Sequence, residues 1–495
     1  MKKIRKLAML GLATMLVGTS VMATGCNGGS SGKEGSLTIR YYVGGYGETW
    51  LKESAKAYQQ INPDVKITLK PDEEVGQKAT QYLSVKTPNA DIYMVDEFAW
   101  QDAARKNLLE PLDDVMESKV TIGGSETTIK DSLMEGLEFF PYVSIGGKES
   151  AYVMPWVADN VSIIYNEDLM KKTPKTGGGT WTTFPATESE FKQFVADINA
   201  ASKTAAYSNK EVKPFVYAGS SLNVLSWPHM VWWAQYQGLD ASNCLEEGSF
   251  ADFWQYESKE VFNQQGITEA YGLLQEIFVN YEEEDASKRE WINVPTNNGA
   301  LGAQDAELEF VKGTAVMTLN GAWMENEIAE VLELSNAYPN LQQHMRMAYI
   351  PAIDGAKATN VNLVETGTVM ALSSKSANKE IAKDFLKFLN TEEQMINFTK
   401  HTGTMRPFKY NPSESIGEMV PFRQDIINMF FNGNNIFEGS AHPMYRVAGV
   451  TPYVPNFSTI FGDLRKTTAA KTTENAYIWA RDTWETWKTT AGLGS

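Results

Sequence analysis

The 495-residue chain has very few of the residues that build disulfide frameworks or metal sites. It contains two cysteines, Cys26 and Cys244, which cannot form a disulfide framework or a cysteine-based metal site. Its four histidines stand far apart, and none has a second histidine or cysteine at the spacing that zinc requires. We therefore expect neither a metal site nor a bound cofactor.

Sequence signatures of catalysis are also lacking. No strand-to-helix turn carries a G-x-S-x-G nucleophile elbow, and the chain has no G-x-x-x-x-G-K-[ST] phosphate loop. The segment 44–47 is too short for a dinucleotide fingerprint, and the acidic run 282–285 lacks the spacing of a calcium loop. Acidic residues are abundant throughout, so their presence identifies no glycosidase pair. We expect a protein that is not an enzyme.

Positive charge is scarce. The chain has 44 Lys and Arg against 61 Asp and Glu, which gives a formal net charge of -17 at pH 7. Binding to phosphates requires clustered Lys and Arg side chains, so we do not expect a nucleic-acid partner. The chain has no internal repeat, no heptad pattern and no second long hydrophobic run after its N-terminal segment.

The N-terminal segment has the pattern of a secretory signal peptide. Its first residues are basic and an apolar run follows over 7–22, too short and interrupted to suit a membrane span. The small residues 23–25 before Cys26 resemble the lipobox of bacterial lipoproteins, although Ala23 stands where Leu is usual. This resemblance implies a signal peptide over 1–25, a lipid on Cys26 and a Gly/Ser tether over 26–36. The alternative is an ordinary signal peptide with an incidental cysteine.

Strand and helix patterns alternate along the rest of the chain. Apolar β-prone runs predict strands at 37–43, 65–69 and 90–95, with amphipathic helices at 48–60 and 73–86 between them. Further strands are predicted at 315–319, 345–351 and 368–373, and further helices at 188–200, 224–237 and 379–389. Such alternation predicts an α/β fold with parallel strands.

Five segments resemble family 1 of the extracellular solute-binding proteins, the group that includes maltose-binding protein. They follow the family's order and are 91–96 with 103–112, 154–160 (MPWVADN) with 163–169, 180–185 with Phe191, 310–317 with 320–323 (NGAW), and 373–390 with 402–407 (TGTMRP). Each segment is weakly specific alone, and together they cover about residues 37–410. The remainder of the chain is only loosely similar.

The resemblance implies a two-lobed, periplasmic-binding-protein-like fold with a hinge and a ligand cleft between the lobes. Lobe 1 would comprise 37–155 plus 351–400, and lobe 2 would comprise 156–350 plus 401–495. The chain would cross between lobes near 154–157, 347–352 and 398–406, and closure would report ligand to the permease subunits of an ABC importer. The resemblance further implies a carbohydrate ligand, a monomer and a location outside the cytoplasmic membrane.

A sugar site combines flat aromatic rings with carboxylate and other polar side chains. The resemblance places a stacking ring at Trp323 and a hydroxyl-binding carboxylate at Asp159; the alternatives are a Trp that only packs the second lobe and an Asp that caps a helix. Other candidates follow predicted strands or lie at predicted crossings, except that Glu365 precedes the strand at 368–373 and Trp227 lies in the predicted helix 224–237. They are Asp96, Glu97, Tyr46, Glu48, Trp156, Glu365, Arg406 and Trp227.

Some of these candidates have competing interpretations. Arg406 could bind ligand or form a salt bridge between lobes, and Trp227 belongs to a group with Trp232 and Trp233 whose helical spacing favours core packing. A polyamine or peptide ligand remains an alternative to a carbohydrate. A lipid-anchored glycan-active enzyme and an adhesive surface protein are further alternatives, although neither explains the family-like segments.

Overall fold

The computed structural model describes residues 35–96, 98–240, 259–329, 332, 336–414, 419–437 and 463–491. The predicted signal peptide, Cys26, most of the tether, Glu97 and Cys244 lie outside the described residues. No helix in the described part of the chain is both long and apolar enough to cross a membrane.

Fifteen strands are found within the described residues. They are β1 (Gly35–Tyr41), β2 (Val65–Pro71), β3 (Ile92–Val95), β4 (Lys119–Ile122), β5 (Ser125–Thr128), β6 (Tyr142–Ile145), β7 (Lys148–Ala151), β8 (Val153–Pro155), β9 (Asp159–Asn166), β10 (Lys213–Val216), β11 (Ala315–Gly321), β12 (Met345–Ala348), β13 (Val361–Glu365), β14 (Val369–Leu372) and β15 (Asn434–Phe437).

The described part of the chain also forms α-helices. The α-helices are α1 (Thr49–Ile61), α2 (Val75–Ser84), α3 (Trp100–Arg105), α4 (Asp113–Met116), α5 (Glu167–Lys172), α6 (Glu188–Ala201), α7 (Ser226–Gln237), α8 (Gln265–Phe278), α9 (Ala303–Lys312), α10 (Met324–Glu327), α11 (Leu341–His344), α12 (Lys379–Leu389), α13 (Glu392–Thr402), α14 (Pro421–Asn432) and α15 (Ala469–Ala491). A short 3-10 turn at Gly44–Tyr46 follows β1.

The first lobe is built on a five-stranded sheet in the order β2-β1-β3-β14-β8. Strands β1, β2 and β3 are parallel, and β14 runs antiparallel to both β3 and β8. Helix α12 has the bounds that its pattern predicts, because Ile381, Phe385 and Leu389 recur on one face and are all buried in this lobe's core. The alternation of strands and helices therefore forms the predicted α/β layers.

The second lobe is built on a six-stranded sheet whose path is β10-β11-β9-β13-β15, with β12 also paired to β9. Every residue of β9 is buried, as expected for a strand with helices on both faces. Helix α7 packs against α8, and its Trp232 and Trp233 are buried in the second core. Those two rings are core residues, in line with their helical spacing.

Two short segments that run beside each other connect the first sheet to the second. Residues 156–158 lead from β8 in the first sheet to β9 in the second, and residues 366–368 lead back from β13 to β14. The return lies later in the chain than the sequence predicts, since β12 and β13 at 345–348 and 361–365 both pair with β9. An apolar pattern identifies a short strand but does not specify its sheet.

The last predicted crossing, near 398–406, also differs from the structure. Phe398, Met405 and Phe408 are all buried in the core of the first lobe, whereas Phe422 on α14 is buried with residues of the second. The chain therefore passes between lobes after residue 410, and the segment 401–410 belongs to the first lobe rather than the second.

Candidate functional site

Two carboxyl side chains lie next to each other where the chain crosses between lobes. Asp159 is the first residue of β9 and Glu365 is the last residue of β13, and the antiparallel register places them opposite each other. Each comes directly beside a crossing segment, so both lie at the edge of the second sheet that faces the first lobe. The sequence predicts both residues as site residues, and the fold brings them together.

Asp159 is held by hydroxyl groups from the first lobe. The Tyr46 hydroxyl donates to Oδ2 at 2.6 Å, and the Thr404 hydroxyl donates to Oδ1 at 2.5 Å. Burial raises the pKa of Asp159 to about 7, although these two hydrogen bonds act to lower it. The carboxyl therefore titrates near neutral pH. Thr404 gives no sequence signal of this role, because a lone threonine in a loop has no distinctive pattern.

Trp156 lies beneath this carboxyl. Its ring centroid is 5.1 Å from that of Tyr46 and 5.6 Å from that of Trp50, against which it stacks at an interplanar angle of 25°. The side chain is 1% exposed, so the faces of its ring pack within the first core and are not open to the cleft. It supports Tyr46 from within the first core.

Two tryptophans approach the same carboxyl pair from the second lobe. The Trp227 indole N–H donates to Glu365 Oε1 at 3.0 Å, and the Trp227 and Trp323 ring centroids are 6.2 Å apart at 74°. Trp323 follows β11 and packs over Gly321, where an added Cβ would lie 2.2 Å from its ring. Gly321 is thus required for this ring position. Trp323 stays partly exposed and touches both cores.

The lobes are in direct contact beside these rings. A Cβ added at Gly45 in the first-lobe turn would lie 2.7 Å from Trp323 Cβ and 3.1 Å from Glu327 Cγ in the second lobe. Only glycine permits this approach without a shift of one of the two backbones. Gly45 is therefore part of the contact between lobes, a role that the short glycine-rich sequence at 44–47 does not reveal.

A second acidic pair lies at the end of β11. The Asn320 side-chain amide donates to Glu307 Oε1 at 2.8 Å, and the carboxyl of Glu307 also shares a hydrogen bond with that of Glu327. Burial and the neighbouring Glu327 carboxyl raise the pKa of Glu307, and burial raises that of Glu327. The sequence pattern does not predict this pair. Among the described residues, no group of three or more His, Cys, Asp or Glu side chains is placed to hold a metal ion.

Glu48 and Asp96 make their contacts elsewhere on the first lobe. Glu48 accepts hydrogen bonds from the Tyr41 hydroxyl and the Lys52 ammonium on the first lobe. Asp96 lies against the start of α2, where a Cβ added at Gly76 would be 2.6 Å from its Oδ1. Glu97 is outside the described residues.

Arg406 also lies apart from the cleft. It is 1% exposed, and its guanidinium donates to the Leu389 carbonyl and, at 2.9 Å, to Asn390 Oδ1. Both acceptors lie at the C-terminal end of helix α12 in the first lobe. Arg406 therefore neither faces a ligand nor bridges the lobes, and the two interpretations given from the sequence are wrong.

Comparison with known proteins places these features in a family context. A family model described as "Bacterial extracellular solute-binding protein" matches residues 44–396. A solved chitin oligosaccharide binding protein is 17% identical, with a TM-score of 0.62 over 93% of this chain and all of that one. The GacH receptor of Streptomyces glaucescens, solved unliganded and with acarbose, is 14% identical, with a TM-score of 0.58 over 91% of this chain and 98% of that one.

A third solved structure is similar over the same extent. It is a family 1 extracellular solute-binding protein from Bifidobacterium longum subsp. infantis, which is 18% identical, with a TM-score of 0.58 over 91% of this chain and all of that one. At these identities the likeness concerns the fold, which in these proteins has two lobes.

Proposed function

Because the chain belongs to the bacterial extracellular solute-binding proteins, we propose that it captures an oligosaccharide between its lobes and delivers it to the permease of an ABC importer. The observation that carries this proposal is the cluster at the crossing segments. It joins the Tyr46–Asp159 hydrogen bond, the Trp227–Glu365 hydrogen bond and the partly exposed ring of Trp323. The function is binding, without chemical change of the ligand.

The cluster has the chemistry that a sugar requires. Sugar rings present C–H faces that pack on flat aromatic side chains, and their hydroxyls need acceptors and donors held in place. Trp323 supplies the partly exposed ring, while Asp159 and Glu365 supply acceptors. Trp227 and Tyr46 orient those carboxyls through the hydrogen bonds that they donate. The chitin oligosaccharide binding protein and the acarbose-bound receptor support an oligosaccharide, by analogy of fold.

The placement of the cluster also supports a signal to a partner. Asp159 and Glu365 adjoin the two crossing segments, and Gly45 contacts Trp323 between the lobes. A ligand held by these groups would favour closed lobes over open ones, because it gains contacts from both only when they are together. Permease subunits could then distinguish loaded from empty protein.

The decisive experiment is a binding screen of the purified protein by thermal shift and calorimetry. The panel contains neutral oligosaccharides, peptides and polyamines. A ligand present at a hundredfold excess over its Kd stabilises the folded state by about 2.7 kcal/mol. We expect one oligosaccharide class to raise Tm, and we expect Trp323→Ala to abolish that shift. Trp291→Ala is the matched control, since Trp291 is a partly buried second-lobe residue that bridges to Val279 instead.

Other outcomes would redirect the assignment. A shift with polyamines or peptides alone would retain the binding function and reject the carbohydrate. Cleaved oligosaccharide in the sample would replace binding with catalysis. An unchanged oligosaccharide affinity in Trp323→Ala would move the ligand away from the cluster.

We also propose that the protein is held at the outer face of the cell membrane by a lipid on Cys26. The basic and apolar segment before small residues 23–25 supports this proposal. Labelled palmitate should be incorporated into the wild type and into Cys244→Ser, but not into Cys26→Ser. Equal labelling of Cys26→Ser and the wild type would refute the anchor.

A further inference from the structure

The two crossing segments contain buried polar side-chain atoms that have no hydrogen-bond partner in the protein. They are Trp156 Nε1, Thr366 Oγ1 and Thr368 Oγ1. Trp156 and Thr366 are each 1% exposed. A buried donor or acceptor without a partner costs free energy, so three of them in two adjacent segments require an explanation.

These atoms belong to segments that run beside each other. The Trp156 amide donates to the Thr368 carbonyl at 3.4 Å, and the next residues on each side, Pro155 and Val369, are paired in the first sheet. At the other end of the crossing, Asp159 is paired with Glu365, the residue before Thr366. The three unpartnered groups therefore lie between the first sheet and the proposed ligand carboxyls.

The chemistry of the three groups defines what they can hold. An indole N–H only donates, whereas a threonine hydroxyl donates one hydrogen bond and accepts others. Together they suit a hydroxyl group, which can accept from the indole and exchange a hydrogen bond with threonine. A carboxylate ligand would instead place a negative charge beside the Asp159 carboxyl. Among the described residues, no Lys, Arg or His lowers the pKa of that carboxyl.

We propose that the indole N–H of Trp156 and the hydroxyls of Thr366 and Thr368 form a hydroxyl-binding subsite between the two crossing segments, filled by a hydroxyl of the bound sugar. This inference rests on the proposed carbohydrate function and extends it to Thr366 and Thr368, which the sequence does not predict as site residues, and to the indole N–H of Trp156. Because the subsite is made of crossing segments, the ligand hydroxyl contacts the parts of the chain on which lobe closure turns. A trapped water has the same chemistry, and the experiment separates the two sources.

The test compares Thr366→Val/Thr368→Val with the wild type in two measurements. Valine keeps the shape of threonine and removes only the hydroxyl. If the hydroxyls are unpartnered until the sugar binds, the double variant has an unchanged or higher Tm without ligand. Its affinity for the oligosaccharide found by the screen should fall about tenfold, the loss of one or two hydrogen bonds.

Thr173→Val is the matched control. Thr173 is equally buried, but its hydroxyl already has partners in the Leu169 carbonyl and the Tyr207 hydroxyl, at 2.9 and 2.6 Å in the second lobe. This variant should lose Tm without ligand and keep its affinity, which is the opposite of the result expected for the double variant.

A trapped water would give the double variant the behaviour of the control, with a lower ligand-free Tm and unchanged affinity, and that result would overturn the subsite. Equal affinity of the double variant and the wild type would overturn it at any Tm. A wild type that binds no oligosaccharide in the panel would instead defeat the proposed function itself, together with the inference that rests on it.

Discussion

Replacement of Asp159 by Asn should change how stability depends on pH. The carboxyl is 2% exposed, and burial raises its pKa from 3.8 to about 7. The folded protein therefore binds this proton more tightly than the unfolded chain does. The resulting stabilisation is complete below pH 4 and is lost as the pH rises through 7, and the shift corresponds to about 4 kcal/mol.

The assay is urea unfolding of both proteins between pH 5 and 8.5. An asparagine amide does not titrate, and it can still accept one hydrogen bond from the Tyr46 or Thr404 hydroxyl while donating to the other. We expect the wild type to lose free energy of unfolding relative to Asp159→Asn as the pH rises. Comparison of the two proteins cancels the contribution of Glu307, whose raised pKa has the same sign.

Asp197→Asn provides the control with the opposite environment. Asp197 is also buried, but it accepts hydrogen bonds from the Thr176 hydroxyl at 2.6 Å and the Trp181 indole at 2.9 Å, and its pKa is lowered despite the opposing effect of burial. The stabilisation from the ionised Asp197 carboxyl is lost only as the pH falls below 4. Between pH 5 and 8.5, the free energy of unfolding of this variant should therefore change with pH in parallel with that of the wild type. Parallel curves for Asp159→Asn as well would refute the raised pKa of Asp159.

Further substitutions separate closure, folding and the acidic pair. Gly45→Ala places a methyl group against Trp323 and should weaken oligosaccharide binding at least tenfold, as measured by calorimetry. Gly299→Ala is the control, because its added Cβ has no atom nearby and should leave the affinity unchanged. Equal affinities of the two variants would show that Gly45 has no role in lobe closure. Arg406→Ala leaves buried acceptors at residues 389 and 390 without a donor, so urea unfolding should show a loss of about 2 kcal/mol or more with ligand affinity kept in the folded fraction. Glu307→Gln removes the shared proton and should flatten the dependence of Tm on pH near 8; an unchanged profile would contradict the raised pKa.

Local patterns in the sequence identify several elements of the fold because burial on one face imposes a period. The helix at 379–389 repeats apolar residues at helical spacing, and its bounds match the structure. The strand at 361–365 was not predicted, and the one at 368–373 was given no sheet partner. Which sheet a short apolar strand joins depends on contacts with distant residues, which a single sequence does not contain.

The candidate site, like the fold, is predicted only in part by the sequence. The fold brings together five predicted candidates. Asp159, Trp323 and Tyr46 are predicted from family-like segments or from the end of a strand. Glu365 is predicted from its place before a strand, whereas Trp227 comes from a helical tryptophan group whose spacing favours core packing. Their use in binding stays a prediction. The sequence does not reveal that Arg406 is buried against the end of helix α12, because a polar segment can hold either a buried arginine or one that faces a cleft. It also gave no sign of the unpartnered threonines, since a missing hydrogen bond is visible only in three dimensions.

If Asp159 binds ligand as proposed, its hydrogen bonds connect ligand recognition to lobe position. Asp159 begins a strand of the second sheet, yet Tyr46 and Thr404, which donate to it, both belong to the first lobe. Separation of the lobes at the Gly45–Trp323 contact would let water reach the carboxyl. Burial is the largest influence on its pKa and outweighs the hydrogen bond from Tyr46, which lowers the pKa, so the carboxyl would then ionise more readily. Closed lobes therefore favour the protonated form and open lobes favour the ionised form. It follows that lower pH and bound ligand shift the same equilibrium towards closure, each through groups that adjoin the crossing segments.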